Sequence, residues 1–393
     1  MKKRIAIINQ RYGLEVNGGS ELHARVLAER LSAIYEVEVL TTCALEYTTW
    51  ENHYSEGIEY INYIKVHRFP VDSPRTQKEF DSVSQRLFDE EYGNRIVEEE
   101  WVDKQGPLST KCIDYIKKSY DNYDAFIFVT YLYYLTVRGI PEVADKAILV
   151  PTAHDEPYVK FGVYKHVFKQ PQAIVFNTEE EQIFIHNLFH NANIPWDIVG
   201  VGIDSPQNLN PRRFTEKYGS YIIYVGRIDE GKNCHKLFQF FIEYKKRNNN
   251  NLKLLLMGKA VCEIPNHQDI IPLGFVSDED KQDGMAGAEI LVLPSEFESL
   301  SLVVLESMIS GVPVVVNGKC EVLRGHCVKS NAGLYYKDYL EFEGAINYLL
   351  ANRDIYEVMS KNACRYVEEN YQWPVILDKL KCLIDNVIDA KND

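Results

Sequence analysis

Short apolar runs alternate with longer amphipathic stretches along the chain, which is the pattern of parallel β-sheets flanked by helices. The runs fall into two series, separated by residues 203–219. The predicted strands of the first series are RIAIIN, EVEVLTT, YIKVHRF, DAFIFVT, KAILVPT, AIVFNT and DIVGVG, and those of the second are SYIIYVG, LKLLLMG, DIIPLGF, EILVLP and VPVVVN. The pattern therefore predicts an α/β protein with two sheets.

The segment between the two series, IDSPQNLNPRRFTEKYG, is rich in Pro, Asn and charge, which is typical of an interdomain linker. We therefore predict an N-terminal domain over residues 1–204 and a C-terminal domain over residues 205–373. The last stretch, residues 374–393, begins with Pro374 near a first-turn position and keeps apolar residues at helical spacing. It is predicted to be a C-terminal helix.

The length of 393 residues and the hydrophobic content of 46% support two domains with full cores. The net charge of −14 argues against a nucleic-acid partner, because it would repel the phosphates. No stretch approaches the roughly 20 apolar residues that span a bilayer. The start MKKRIAIINQRYG becomes polar too soon for a signal peptide, so we expect a cytoplasmic protein.

A basic patch is the candidate for a peripheral contact with the inner face of the membrane. It consists of Lys160, Lys165, His166 and Lys169. A solvated helix face is the interpretation that we favour for these residues.

The eight cysteines are scattered and form no CxxC pair, which predicts reduced thiols rather than a disulfide framework. Cys320, His326 and Cys327 come nearest to a metal-binding cluster. A structural zinc site needs four ligands and no second pair lies nearby, so we predict no metal.

The most informative stretch is LVLPSEFESLSLVVLESMISG, residues 291–311. It begins with a predicted strand that stops at Pro294, and apolar residues recur at helical spacing from Leu302 until Gly311. The chain therefore turns from the carboxyl end of a strand into the start of a helix. Ligands bind at this edge of open α/β sheets, and the unpaired N–H groups of a first helical turn favour an anion.

Two carboxylates bracket this turn, Glu298 in the loop and Glu306 eight positions later in the helix. A pair of glutamates in a charged protein is usually solvated surface. Here, however, the order of a Pro-Ser pair, a Glu, seven residues and a second Glu resembles the signature of the GT-B glycosyltransferases, in particular the large retaining family 4, the glycosyl transferases group 1. Glu296 does not fit, because the position eight residues later is Val304.

Two further elements of the second half resemble the same family. YIIYVGRIDEGKN places Arg227 and Lys232 after a predicted strand, as in the family's phosphate-binding GRxxxxK element. An Arg fork and a Lys charge can neutralise a leaving diphosphate. PLGFV places Val276 where the family pairs a backbone group with the nucleobase, although this run is also an ordinary strand-end turn.

In the first half, NGGSE places Gly18 and Gly19 before a helix, where the backbone can approach a phosphate or sugar closely. No GxGxxG follows the first strand, which argues against a nicotinamide-dependent enzyme. The run resembles the family's GGxE loop. His154, in PTAHDEPY, matches the His that the family places near the donor sugar and acceptor. NTEEE, after the next strand, resembles a further element to which we assign no role.

The resemblance implies the GT-B fold, in which two Rossmann-like domains have parallel sheets that face each other across a cleft and a last helix packs on the first domain. It implies retaining, metal-independent transfer of a hexose-type sugar from a UDP- or GDP-linked donor to a saccharide or lipid-linked saccharide in polysaccharide biosynthesis, without a cofactor. The resemblance also implies a role for each site residue. Arg227 and Lys232 hold the leaving diphosphate, and Glu306 hydrogen-bonds the ribose hydroxyls. Glu298 and the backbone N–H groups of Leu300, Ser301 and Leu302 orient the sugar, and His154 works at the acceptor side.

The sequence departs from the family in three places. ESLSL replaces EGFGL in the loop that contacts the sugar, Cys320 stands where a Pro is usual, and the charged segment from Pro70 to Pro107 has no counterpart. We interpret this segment as an inserted helical region that carries acceptor specificity. Two other functions remain open, a sugar-nucleotide epimerase of the same fold and a non-catalytic nucleotide-sugar or glycan-binding protein.

Overall fold

The computed structural model describes residues 2–16, 18–89 and 91–390. Over these residues the chain forms two compact units. The N-terminal unit contains the described residues of Met1–Val201 and Leu377–Asp393, and the C-terminal unit contains Gly202–Ile376.

The N-terminal unit is built on one sheet. Its strands are β1 (Arg4–Ile8), β2 (Glu36–Thr42), β3 (Gly57–Ile61), β4 (Ile64–Phe69), β5 (Ala125–Val129), β6 (Ala147–Val150), β7 (Ala173–Phe176) and β8 (Trp196–Ile198). Its helices are α1 (Gly19–Leu31), α2 (Gln77–Asp89), α3 (Arg95–Gln105), α4 (Thr110–Lys118), α5 (Tyr134–Gly139) and α6 (Glu179–Phe189). Within the described residues the strand order is β3-β4-β2-β1-β5-β6-β7-β8, and each neighbouring pair is parallel except β3 with β4.

The central strands of this sheet are apolar along their whole length, as expected for parallel strands whose two faces are both covered. Every residue of β5, β6 and β7 is buried. The first helix, α1, buries Ala24, Leu27, Ala28 and Leu31 at helical spacing. The alternation of apolar strands and amphipathic helices in the sequence therefore predicted the central strands of this unit correctly.

The strand order reverses beside β1. The chain places β2 on one side of β1 and later places β5 on the other side. In open α/β sheets, ligands bind outside the carboxyl ends of the strands at such a reversal. The loops after β1 and β5 are therefore the expected binding region of this unit.

The C-terminal unit is built on a second sheet. Its strands are β9 (Tyr221–Val225), β10 (Lys253–Met257), β11 (Ile270–Gly274), β12 (Ile290–Leu293), β13 (Val314–Asn317) and β14 (Gly333–Tyr336). Its helices are α7 (Arg212–Tyr218), α8 (Cys234–Arg247), α9 (Asp278–Ala286), α10 (Leu302–Ile309), α11 (Glu321–Ser330), α12 (Tyr339–Ala351) and α13 (Arg353–Asn370). The described strands run in the order β11-β10-β9-β12-β13-β14 with every pair parallel, so the reversal falls between β9 and β12.

The last helix, α14 (Trp373–Asp389), begins in the C-terminal unit and belongs to the N-terminal unit from Leu377 onward. There Lys379 Nζ donates to the backbone oxygen of Ile198 at 2.8 Å. The predicted segment extends to residue 393, and its last three residues, 391–393, lie outside the described residues.

The sequence pattern misses three elements. The edge strand β3 leaves Ile58 and Tyr60 exposed, so no buried apolar run marks it. The strand β14 is a run of four residues that follows the last predicted strand. The helix α7 lies inside the predicted linker, where Phe214 is buried and Arg213 Nη1 pairs with Asp283 Oδ2 at 2.8 Å. This part of the linker therefore belongs to the C-terminal unit.

The charged inserted segment is helical, as predicted, and forms α2 and α3. The Trp101 ring of α3 stacks on Tyr158 with centroids 5.1 Å apart, and Glu98 Oε2 accepts the backbone N–H of Val163 at 2.8 Å. The insertion therefore packs on residues 157–165, which follow the His154 loop.

The basic patch lies in and just after two short 3₁₀ helices, Pro157–Lys160 and Gly162–Lys165, and its three lysines are exposed. Lys160 Nζ pairs with Asp155 Oδ1 at 2.7 Å. Burial lowers the pKa of His166, whose Nε2 donates to the backbone oxygen of Val137. Within the part of the chain that the structure describes, no helix has the length and apolar character needed to cross a membrane.

Candidate functional site

The loops after β9 and β12 flank the strand-order reversal of the C-terminal sheet. The first loop contains Arg227 and Lys232, and the second contains Glu298. Because β9 and β12 are parallel neighbours, both loops leave the same edge of the sheet. Three of the predicted site residues therefore lie where open α/β sheets bind ligands.

Asp229 organises the loop after β9. Its Oδ2 accepts a hydrogen bond from Arg227 Nε, and its Oδ1 accepts the backbone N–H of Lys232 at 2.7 Å. One carboxylate thus holds both ends of the GRxxxxK element. A Cβ atom on Gly258 would lie 1.9 Å from the backbone oxygen of Gly226, so the close approach of the loops after β9 and β10 requires glycine at position 258.

Lys232 and Glu298 connect the two loops. Lys232 Nζ donates to Glu298 Oε1 at 2.7 Å, and the side chains are 32% and 13% exposed. The loop after β12 is also held by two amides, because Asn233 Nδ2 and Asn317 Nδ2 donate to the backbone oxygen of Pro294 at 3.2 and 2.9 Å. The cation of one motif and the carboxylate of the other are therefore in direct contact.

Glu306 has a lysine of its own. Lys281 Nζ, from α9, lies 2.9 Å from Glu306 Oε1 in α10, and both side chains are about three-quarters buried, at 24% and 26% exposure. Asp278 lies further from the same amine, at 3.9 Å. Each carboxylate of the predicted pair is thus matched by a lysine from another segment of the chain.

The start of α10 is unusual. Its N-cap residue, Ser301, has the left-handed backbone conformation with φ 68° and makes no capping hydrogen bond. The Ser301 hydroxyl is buried and has no hydrogen-bond partner among the described residues. The Val304 N–H donates to the Ser301 backbone oxygen at 3.1 Å. The N–H groups of Leu302 and Val303, which precede it, are not capped by Ser301 and are therefore the ones suited to an anion or a sugar oxygen.

His326 is hydrogen-bonded to the loop that precedes α10. Its Nε2 donates to the backbone oxygen of Leu300 at 2.7 Å, and its Nδ1 accepts from Tyr366 OH at 3.0 Å.

Burial raises the pKa of the Cys320 thiol to about 11, so that thiol is protonated at neutral pH. Among the residues described, no group of three or more His, Cys, Asp or Glu side chains is arranged to hold a metal ion.

Val276, the predicted base-binding residue, follows β11 and is half-buried. The end of β11 is tied to that of β10, because the Gly258 N–H donates to the backbone oxygen of Gly274 at 2.8 Å. Phe275, between Gly274 and Val276, is 76% exposed. The run lies at the same sheet edge as Arg227, on the far side of β10.

In the N-terminal unit, Gly18 and Glu21 fit each other closely. A Cβ atom on Gly18 would lie 2.0 Å from Glu21 Oε2, and Gly18 has φ 155°. The buried Glu21 accepts from Arg11 Nε at 2.9 Å. Gly19 is the first residue of α1 and has open space around it. Asn17, the first residue of the predicted motif, lies outside the described residues.

His154 lies in the loop after β6, beside a carboxylate. Its Nδ1 is 3.8 Å from Glu156 Oε2, and Glu156 Oε1 accepts the Tyr131 hydroxyl at 2.6 Å. Burial raises the pKa of Tyr131 well above its usual range, so the phenol stays protonated and donates. A carboxylate beside an imidazole can fix its tautomer.

Glu181 holds the His154 loop in place. Its two oxygens accept the backbone N–H groups of Ala153, at 2.5 Å, and of Asn177, at 2.6 Å. Burial raises the pKa of Glu181 to about 8, and the two N–H donors oppose that shift. Thr178 and Glu181 have the spacing of a helix capping box, which predicts a helix start here but not the contact with Ala153.

The structure thus brings together Arg227, Lys232 and Glu298. Glu306 pairs with Lys281, which belongs to none of the predicted motifs. Gly18, Gly19 and His154 follow strands of the other unit. The residues that sequence reasoning missed are Asp229, Lys281 and Glu181.

Residues 209–366 match the family model described as Glycosyl transferases group 1. This match lies within the C-terminal unit and covers less than half of the chain. The match contains the loop after β9, the loop after β12 and all of α10, so it includes Arg227, Lys232, Glu298 and Glu306.

One relative of the chain is an uncharacterized glycosyltransferase of Methanocaldococcus jannaschii. It is 25% identical over 219 residues, which are 52% of this chain and 54% of that protein. The chain therefore spans about half the length of this curated relative.

Two solved structures resemble the whole chain. One is sucrose-phosphate synthase from Thermosynechococcus elongatus, with a TM-score of 0.73, 16% identity and coverage of 99% of this chain and 100% of that chain. The other is Anabaena HepE in complex with UDP and glucose, with a TM-score of 0.70, 14% identity and coverage of 98% and 100%. The predicted fold class, GT-B with two parallel-sheet α/β domains, is confirmed.

Proposed function

We propose that this protein is a glycosyltransferase that moves a hexose-type sugar from a UDP- or GDP-linked donor to a saccharide or lipid-linked saccharide acceptor in polysaccharide biosynthesis. The contact between Lys232 and Glu298 carries the proposal. It holds a cation suited to a departing phosphate next to a carboxylate suited to a sugar hydroxyl. The group 1 match over residues 209–366 supports the same activity.

Arg227 and Lys232 bind the diphosphate in this proposal. Arginine presents a fork of N–H groups to phosphate oxygens, and lysine adds a compact charge. The two side chains are 45% and 32% exposed, so a ligand can reach both. As the bond between the sugar C1 and the phosphate oxygen breaks, negative charge grows on that oxygen and the two cations stabilise it without a metal.

Glu306 accepts hydrogen bonds from the ribose hydroxyls, and Glu298 accepts one from the transferred sugar. The N–H groups at the start of α10 donate to the sugar, and the backbone at Val276 pairs with the base. The N-terminal end of α10 is suited to this role because its N–H groups have no capping side chain.

The reaction retains the configuration at C1. The acceptor hydroxyl attacks C1 from the face that the diphosphate leaves, the bond from C1 to the phosphate breaks, and the hydroxyl proton passes to the leaving phosphate oxygen. His154 orients the acceptor hydroxyl, and the loop at Gly18 and Gly19 lets the backbone approach the ligand closely. A cytoplasmic location stays our prediction, with a peripheral contact at the inner face of the membrane as the alternative.

A two-step assay tests this function. A panel of UDP- and GDP-sugars is first screened for thermal stabilisation, because a bound donor raises the melting temperature by mass action. The stabilising donor is then incubated with and without saccharide acceptors, and the products are identified by NMR. We expect release of the nucleoside diphosphate and a new glycosidic bond of retained configuration, both dependent on an acceptor. An isomerised or free sugar from the donor alone would identify an epimerase instead, and binding without turnover would identify a binding protein.

A further inference from the structure

Arg75 is a half-buried cation at the start of the inserted segment. Its backbone N–H donates to the Thr49 oxygen at 2.6 Å. In its side chain, Nε donates to the Thr48 oxygen at 2.9 Å and Nη1 donates to Gln105 Oε1 at 3.1 Å. The guanidinium is therefore fixed in position by groups that are all neutral.

No carboxylate lies within ion-pair distance of Arg75 in the described part of the chain, and its Nη2 has no acceptor there. Burial lowers the pKa of Arg75, and the charges of Tyr133, Tyr47 and Asp81 oppose this shift. Arg138, which is also half-buried and lies close to the same insertion, has two carboxylate partners, Glu99 and Asp103. A partly desolvated charge without a counterion favours an anion beside it, so a bound anion would be stabilised at Arg75.

Aromatic rings surround this cation. The Arg75 guanidinium carbon lies 5.8 Å from the centroid of the buried Trp50 and 4.9 Å from that of Phe80. Trp50 meets Tyr133 edge-on with centroids 5.4 Å apart. Tyr133 and Tyr47, which also packs beside Trp50, are only half-buried. Half-buried tyrosine rings beside an arginine form a surface on which a sugar ring can pack while its charged group meets the guanidinium.

The cluster lies at the expected binding region of the N-terminal unit. Tyr133 follows β5, and Arg11, whose guanidinium carbon is 6.0 Å from the Trp50 centroid, follows β1. These are the two strands that flank the strand-order reversal. Burial raises the pKa of Tyr133, and the charges of Glu21 and Glu156 add to the shift while those of Arg11 and Arg75 oppose it. Tyr133 therefore lies within electrostatic range of both Arg75 and the carboxylate beside His154.

We propose that Arg75, with Tyr133 and Tyr47, forms a subsite for the negatively charged group of an acidic saccharide acceptor, a carboxylate or a phosphate ester. The inference rests on the proposed glycosyltransferase function and adds a substrate class to it. It also gives a physical basis for the predicted role of the insertion in acceptor specificity, because Arg75 and its partner Gln105 both belong to that segment.

Binding of charged and neutral sugars to the full-length protein tests the subsite. The probes are glucuronic acid, glucose 6-phosphate and glucose, titrated into the wild type and into the variants Arg75→Gln and Arg75→Lys, with binding followed by ligand-observed NMR. Arg86→Gln is the matched control, because Arg86 belongs to α2 of the same insertion and pairs with Glu100 on its surface. The nucleotide-induced rise in melting temperature is measured for every variant.

We expect the wild type to bind at least one charged probe more tightly than glucose, and Arg75→Gln to lose about tenfold for that probe with no change for glucose. Arg75→Lys should keep part of the preference for the charged probe over glucose, and Arg86→Gln should keep all of it. The nucleotide-induced rise in melting temperature should be equal in all variants. Comparison of the two charged probes separates carboxylate from phosphate recognition. Equal affinity of the wild type for charged and neutral probes, or equal binding by Arg75→Gln and the wild type, would overturn the inference. Absence of nucleotide stabilisation in the wild type would count against the proposed function instead.

Discussion

Lys232 and Glu298 are 66 residues apart in the chain, and their side chains meet at 2.7 Å. The parallel pairing of β9 with β12 brings their loops to one edge of the sheet. The ion pair holds an amine and a carboxylate side by side at this edge. A diphosphate that binds Lys232 must share the amine with Glu298 or displace it.

Lys232→Met is expected to reduce kcat about 100-fold, because the charge that stabilises the leaving diphosphate is lost while the aliphatic part of the side chain is kept. Steady-state kinetics with the stabilising donor measures the change. Lys246→Met is the control, since it removes an exposed lysine of α8 whose partner, Glu243, is also exposed. Equal kcat values for the two variants would show that Lys232 does not act on the leaving group.

Lys281→Met should weaken binding of the nucleoside diphosphate about tenfold, because Glu306 loses the partner that holds it for the ribose. The effect should be smaller for the 2′-deoxynucleotide, which offers Glu306 one hydroxyl fewer. Isothermal titration with both nucleotides measures the difference. Arg353→Met removes another ion pair of this unit, with Glu289 at 2.8 Å, and should leave both affinities unchanged. If Lys281→Met weakened the two nucleotides by the same factor, the lysine would have a general structural role.

Ser301→Gly is expected to raise the free energy of unfolding by about 0.5–1 kcal/mol, because Ser301 has φ 68° and a buried hydroxyl without a partner in the described residues. Urea denaturation measures this change. Ser310→Gly is the contrasting variant, since Ser310 has φ −80° and its hydroxyl donates to the Glu306 oxygen at 2.9 Å. The Ser310→Gly substitution should lower the free energy of unfolding. A loss of stability in both variants would mean that the backbone at Ser301 is not strained.

Acid should destabilise the N-terminal unit through His23. Burial lowers the pKa of this histidine to about 4, so the folded protein holds it neutral while the unfolded chain protonates it near pH 6.5. The contribution of the neutral His23 to the free energy of unfolding is fully present above pH 6.5 and is lost as the pH falls towards 4. Between pH 7.5 and pH 5 the loss is about 2 kcal/mol. His23→Gln should remove this part of the pH dependence, which urea titrations of both proteins at the two pH values measure. An unchanged pH dependence would contradict the role of His23.

The sequence was most informative where one element carries its own pattern. The apolar run of β5 and the sequence from β12 through Pro294 into α10 each predict their structure from neighbouring residues. Glu298 and Glu306 were found for the same reason, because their spacing along one loop and helix is visible in the sequence. The sequence pattern does not show which loops lie next to each other. The strand order of the folded sheets supplies that information.

The residues that were missed act across distant parts of the chain. Lys281 reaches Glu306 from another helix, and Glu181 holds Ala153 across 28 residues. Their roles depend on which side chains meet in the fold, and the local sequence does not contain that information. The edge strand β3 was missed for a different reason, because its exposed Ile58 and Tyr60 give no signal of burial.

The central claim is that side chains of the C-terminal unit hold the diphosphate of a nucleotide sugar without a metal. Isothermal titration of UDP, UMP, GDP and GMP in the presence of EDTA, with the wild type and Arg227→Ala, tests it most directly. We expect the wild type to bind one diphosphate far more tightly than its monophosphate, and Arg227→Ala to lose about 3 kcal/mol of binding free energy for the diphosphate alone. Equal binding of diphosphate and monophosphate by the wild type, or an unchanged diphosphate affinity in Arg227→Ala, would contradict the claim.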